Sequence, residues 1–206
     1  LAALVVMSFL WMPGAPPSRK RDESVFADLK LGLQHVWERP RLRLLVVTFA
    51  GVVLAGYAYQ VILPGYLSNA LGRDPERDLG VIFAVSAVGG IILSVSLVSK
   101  AGTQNARWYM FIFGGILGGG LMLAAIAPTY ITALGAMVIV GAASSGFQLL
   151  NNAIIMQETD PRYFGRVMSL TMLAFGFNGI AAYPYGALAD AVGERATLFA
   201  MGTASI

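Results

Sequence analysis

Hydrophobic residues in this chain come in long unbroken blocks rather than in alternation. Five stretches, 44–63, 79–99, 108–127, 130–156 and 167–189, contain no Asp, Glu, Lys, Arg or His. A helix needs about 20 apolar residues to cross the hydrocarbon core of a bilayer, and each stretch has that length. Barrel strands alternate over about ten residues, so uniform runs twice as long predict helices. Two shorter apolar runs, 1–12 and 196–206, are expected to be the cut ends of further spans. A signal peptide is the competing reading of the first run, because Pro13, Gly14 and Ala15 follow it, but the run lacks a basic leader. The predicted organisation is the end of a preceding span over 1–12, a connection over 13–43, and a transmembrane bundle over 44–206. That bundle has five complete spans and one truncated span. The fold class is an all-α integral membrane protein, read as part of a longer chain.

The connection has a pattern of its own. Pro13, Pro16 and Pro17 end the first run, and the basic triplet Arg19, Lys20 and Arg21 follows. Ser24 is a good N-cap for a helix over 24–38, and Pro40 suits the start of the next one. On a helical projection Val25, Phe26, Leu29, Leu33, Val36 and Trp37 fall within about a third of the circle. Asp28, Lys30, Gln34, His35, Glu38 and Arg39 occupy the rest, and only Leu31 is misplaced. Such a helix is expected to lie on the inner membrane surface or under the bundle.

Charge gives the orientation. Seven Lys and Arg lie in 13–43, two in 100–107 and two in 162–166, while the connections on the other side hold Arg73, Arg77 and Arg195. Eleven against three places the long connection in the cytoplasm. Charged residues make up only 12% of the chain and hydrophobic ones 57%; a soluble domain has about twice that charge. The net charge of +3 is concentrated in one connection, so it speaks to membrane orientation and not to nucleic acid.

The chemistry that the sequence excludes follows from what is missing. There is no cysteine, so disulfides and thiolate sites are out. His35 stands alone, which rules out a histidine metal cluster. Ser144 and Ser145 have no histidine on a neighbouring span, and no span carries a pair of carboxylates, so no catalytic residues, metal or cofactor are predicted. Glycine is abundant, with 24 residues. Gly114 and Gly118, and Gly115 and Gly119, form two overlapping small-xxx-small pairs with Gly120 beside them, a pattern for close helix packing.

What remains are uncharged polar side chains within the spans, which are costly in hydrocarbon and face a cavity or another helix. At ~1.5 Å per residue Asn178 is ~18 Å from Arg166, near mid-membrane. Tyr57 and Gln60 fall in the outer half of the first complete span. Gln148, Asn151 and Asn152 lie toward the inner end of the fourth, with Gln148 and Asn152 one turn apart. Asn178, Tyr57, Gln60, Gln148 and Asn152 are the candidate substrate contacts, with an interhelical hydrogen bond the alternative role for each. The third span has no Asn, Gln, Ser or Thr and is expected to stand away from any wet pathway.

A basic cytoplasmic connection with an amphipathic helix, followed by six hydrophobic runs, resembles the C-terminal half of a major facilitator superfamily transporter. Leu29-Lys30-Leu31-Gly32-Leu33 with Arg39-Pro40-Arg41-Leu42 resembles the lead-in to that family's seventh span. Pro161-Arg162-Tyr163-Phe164-Gly165-Arg166 through Ser169 resembles its turn between spans ten and eleven. Gly186-Ala187-Leu188-Ala189-Asp190 with Gly193 and Arg195 resembles the next turn. The branch they look most like is that of drug and enterobactin exporters. The resemblance implies the C-terminal six helices of a twelve-helix bundle in the cell membrane, in a bacterium the inner membrane. It implies alternating access to a small amphipathic molecule and a missing N-terminal half as partner. Arg162, Gly165 and Arg166 would form the cytoplasmic turn at the gate. The turn over 100–107 lacks the family's acidic residue and Phe164 replaces a frequent arginine, so the resemblance carries no charge-relay gate into this half. An uptake permease of the same fold, or a membrane scaffold or receptor, are the other classes the sequence allows.

The charge count makes a direct prediction. Single cysteines at Ser18 and Ser68 should label from the cytoplasm and from the outside respectively; labelling of both from one face would overturn the span count.

Overall fold

The computed structural model describes residues 25–97 and 105–206. The run over 1–12, the basic triplet, the Ser24 cap and Lys100 lie outside the described residues. A short helix α1 (Val25–Glu38) precedes five helices long and apolar enough to cross a membrane. These are α2 (Pro40–Ala70), α3 (Pro75–Leu97), α4 (Ala106–Ile126), α5 (Tyr130–Glu158) and α6 (Phe164–Val192), and a final helix α7 (Glu194–Ala204) follows. They coincide with the five predicted stretches, each extended by a few residues at one or both ends. All-helical spans follow from the solvent: hydrocarbon offers the backbone no partner, so each segment must close its own hydrogen bonds.

The helix ends have local causes. Pro40 opens α2 where its missing N–H is not needed, and Arg39 before it is extended, as a residue preceding proline should be. Thr129 and Thr132 cap α5 reciprocally, each side chain bonding the other's backbone N–H. Between α6 and α7 the chain reverses at Gly193, whose φ of 91° favours glycine.

α2 is irregular. Two π-helical turns, Val53–Tyr57 and Tyr66–Ala70, flank a short α segment containing Pro64. Proline donates no hydrogen bond and crowds the carbonyl four residues back, so the helix widens around it. Ser68 returns a hydroxyl to the carbonyls of Pro64 and Gly65, each at 3.2 Å.

α5 is the central helix, packed along α3 on one side and α4 on the other; α4 also packs on α7, and α6 on α1, α2 and α7. Glycine sets how close these approach. A Cβ on Gly89 of α3 would collide with the Val138 carbonyl of α5, and one on Gly141 of α5 would collide with the Ser86 backbone of α3. Gly118 of α4 and Gly202 of α7 stand in the same reciprocal contact. Of the two overlapping pairs in the third span, Gly114 and Gly118 therefore face neighbours, whereas Gly115 and Gly119 meet nothing within 4 Å. At the end of the bundle away from α1, Arg195 donates to the carbonyls of Ala125 (3.1 Å) and Ala70 (3.3 Å), satisfying the ends of α4 and α2 together.

α1 docks on the bundle by one edge of its apolar stripe. Val36 of that stripe is buried, together with Gly32 and His35 beside it. Leu33 and Trp37, also on the stripe that the sequence lays on the membrane surface or under the bundle, are 48% and 58% exposed. The reason is steric. Gly32 lets α1 approach until its missing Cβ would lie 3.1 Å from the Arg166 backbone of α6, and a leucine stripe could not come so near.

Gly141→Val should push α3 from α5 and destabilise the protein by about 1–3 kcal/mol or more, as overpacking does. Gly119→Ala should leave the melting temperature almost unchanged. Equal losses in a thermal melt of the two variants would refute this packing scheme.

Candidate functional site

α2, α5 and α6 meet along an aromatic seam. The Phe49 ring of α2 stacks on Phe147 of α5, with centroids 5.9 Å apart, and meets Phe175 of α6 edge-on at 5.6 Å. Tyr57, in the first π turn of α2, also meets Phe175 edge-on at 5.7 Å. Its hydroxyl donates to the Ser144 carbonyl of α5 at 2.9 Å. Edge-to-face and offset pairs of this kind add to plain burial. A π turn exposes a backbone region that an α turn would close, and such turns recur at functional sites. The sequence singled out Tyr57 alone of this cluster; Phe49, Phe147 and Phe175 carried no signal beyond hydrophobicity.

The other predicted contacts distribute around the seam. Asn178 lies 14 residues after Phe164 and 14 before Val192, the middle of α6. It is half-buried, and its Oδ1 is enclosed with no hydrogen-bond partner among the described residues. Gln148 and Asn152 are half-buried on α5, one and two turns inward of Ser144, while Gln60 is exposed on α2. Asn151, between them, is wholly buried at 0% exposure, and neither atom of its amide has a partner among the described residues. An enclosed amide without partners costs about 1–3 kcal/mol, so Asn151 and Asn178 are the two polar groups of the seam least explained by packing.

Two grooves flank the contact of α2 with α6, each of about 470 Å³. One is lined by Val61, Gly179, Tyr183, Gly186 and Asp190 and the other by Leu54, Ala55, Pro184 and Tyr185, among others. Apolar walls with a few hydroxyl or carboxyl groups suit an amphipathic organic molecule. By contrast, α4 turns Trp108, Phe111, Ile116 and Leu123 outward without a polar residue among them. Among the described residues no cluster of three or more His, Asp or Glu forms a metal site.

At the end of the bundle where α1 docks, the turn between α5 and α6 is built on Asp160, whose carboxylate accepts from the Arg162 N–H at 3.0 Å and whose carbonyl accepts from the Tyr163 N–H at 2.8 Å. Arg162 and Gly165 are exposed. Arg166 is half-buried, its guanidinium 5.7 Å from the Tyr163 ring centre and its backbone under Gly32. α1 is clamped here: His35 stacks on Tyr163 with centroids 4.2 Å apart and planes 10° from parallel. Arg39 donates to the Glu158 carbonyl at 3.0 Å, and the Glu158 carboxylate pairs with Arg107 at the start of α4. That ion pair ties the start of α4 to the end of α5, and no local sequence pattern announced it. On the opposite face Arg73 pairs with buried Asp78 at 2.6 Å and lies over the Tyr130 ring at 4.6 Å. That partnership holds the Arg73 guanidinium even more firmly protonated than usual.

The Major Facilitator Superfamily model matches residues 1–183. Among curated proteins the chain is similar to the multidrug efflux pump Tap of Mycolicibacterium fortuitum, with 28% identity over 191 residues. The match covers 91% of this chain and 46% of that pump, so the chain spans about half the length of the curated relative. No solved structure matches significantly.

Burial lowers the His35 pKa below 6.5, and Arg39 pushes the same way, while Asp160 and Glu38 oppose. A depressed pKa in the docked state means that neutral His35 favours docking. The contact is then at full strength above the ordinary pKa of 6.5 and weakens as pH falls below it. Spin labels at Lys30 and Arg162 should therefore separate on going from about pH 7.5 to about pH 5. His35→Phe, which keeps the ring stack, should remove the change; a pH response that persists in this variant would clear His35 of the role.

Proposed function

The chain belongs to the major facilitator superfamily, and from that premise we propose that it is the C-terminal half of an exporter of small amphipathic molecules. It is a multi-pass protein of the cell membrane, of a family of transporters and not of enzymes. In this reading an N-terminal half completes the bundle, and the two rock about a midplane site to give alternating access. The observation that carries the proposal is Asn178: a half-buried amide at the centre of α6 whose enclosed oxygen has no partner among the described residues. It lies one turn outward from Phe175 of the aromatic seam. An amide can both donate and accept, so it suits a neutral polar group on an otherwise apolar solute. Tyr57 and Gln60 on α2, with Gln148 and Asn152 on α5, would meet the rest of that solute. The export direction and a drug-like substrate are supported by the similarity to a multidrug efflux pump. Arg162, Gly165 and Arg166 would form the part of the cytoplasmic gate that α1 covers.

In the full-length protein Asn178→Ala should reduce transport severalfold while expression and melting temperature stay near wild type. Asn178→Leu should reduce it further by filling space. A structural amide behaves otherwise, since loss of an interhelical hydrogen bond costs about 0.6 kcal/mol on average and shows as lower stability. Unchanged transport in both variants, or lost folding in both, would return Asn178 to a packing role.

A further inference from the structure

α1 has one face on the bundle, and the face beside it is bare. The buried side is Gly32, His35 and Val36, and a hundred degrees around the helix Leu33 and Trp37 stand one turn apart with about half their surface open. An exposed tryptophan and leucine one turn apart, on a helix already fixed by its neighbouring face, form an apolar patch that suits a surface other than water. Covalent connection sets their depth: Trp37 is three residues before Pro40, where the first membrane-spanning helix begins. Trp37 is therefore held at the boundary between headgroups and hydrocarbon, the level where tryptophan rings concentrate.

The charges beside this face are basic and unspent. Arg43 holds its guanidinium 5.8 Å from the Trp37 ring centre, on the first turns of α2. Arg41 and Arg43 are exposed, and neither is in an ion pair among the described residues. Beyond them Leu44 and Val47 of α2 are exposed in turn, at 59% and 53%, so the apolar face of α1 runs on into the spanning helix. A surface that is apolar on one side of its arginines and aqueous on the other fits a lipid better than it fits a soluble peptide. The cytoplasmic leaflet is anionic and attracts such side chains.

We propose that Leu33, Trp37, Arg41 and Arg43 form a binding site for anionic phospholipid of the inner leaflet. Leu33 and Trp37 sit among the upper acyl carbons, and the two guanidinium groups take the headgroup phosphate. α1 is then held between the α5–α6 turn and the lipid, so the leaflet charge becomes part of what keeps the helix on the cytoplasmic turn. The assignment is independent of the substrate and of the direction of transport.

The test uses full-length protein carrying one environment-sensitive fluorophore on a Leu33→Cys variant, reconstituted in nanodiscs. The discs contain phosphatidylcholine with phosphatidylglycerol, and the bromine quencher is placed on the chains of one lipid or the other. The label should be quenched, and brominated phosphatidylglycerol should be the stronger quencher, with about a fivefold preference for each arginine engaged. Arg41→Gln with Arg43→Gln should abolish the preference, and Arg41→Lys with Arg43→Lys should keep most of it. Both pairs are at exposed positions, so their folding is checked by an unchanged melting temperature. Quenching without preference would overturn the anionic assignment. No quenching by either lipid would mean that protein, such as another part of the same transporter, covers this face, and would overturn the site altogether.

Discussion

In hydrocarbon every backbone amide must find its partner within the protein, and each failure costs several kcal/mol. This constraint makes helices of all five spans and leaves side-chain size and polarity to decide how they assemble. Lipid gives little reason for one apolar surface to prefer another, so the bundle is organised where chains can come closest. Gly89 against Val138 and Gly141 against Ser86 draw α3 onto α5, and Gly118 against Gly202 draws α7 onto α4. Ends are then tied by charge: Arg195 across α2 and α4 at one end of the bundle, Arg107 with Glu158 across α4 and α5 at the other.

Against this background α2 is the exception, giving up regular geometry at two π turns. α6, like α3, has much less of its span buried than α5. The seam between α2 and α6 is aromatic and not glycine-tight. Rings in edge-on contact can slide with less penalty than backbones held by missing Cβ atoms.

The spans and their number were legible because they depend on composition over about 20 residues. The place of Asn178 at the middle of its helix was legible too, since position along a helix follows from the count of residues. What could not be seen was rotation about a helix axis. The apolar stripe of α1 could face the membrane surface or the bundle, and its pattern did not reveal that Val36 at one edge would dock with Gly32 beside it, close to the Arg166 backbone, while Leu33 and Trp37 stay open. Long-range pairings were equally hidden. Glu158 is 51 residues from Arg107 and His35 is 128 from Tyr163, and no periodicity links either pair. The π turns of α2 had one local sign, Pro64, and the turn that places Tyr57 lies before it.

The central claim is that the α2–α5–α6 seam, and not the α4 face, borders a water-accessible pathway. A single cysteine at Asn178 in the full-length protein, treated with a membrane-impermeant thiol reagent, tests it most directly. The account predicts reaction at Asn178→Cys, slowed by transported substrate, and none at Gly119→Cys on α4. Silence at position 178 with the protein folded, or equal reaction at both positions, would contradict it.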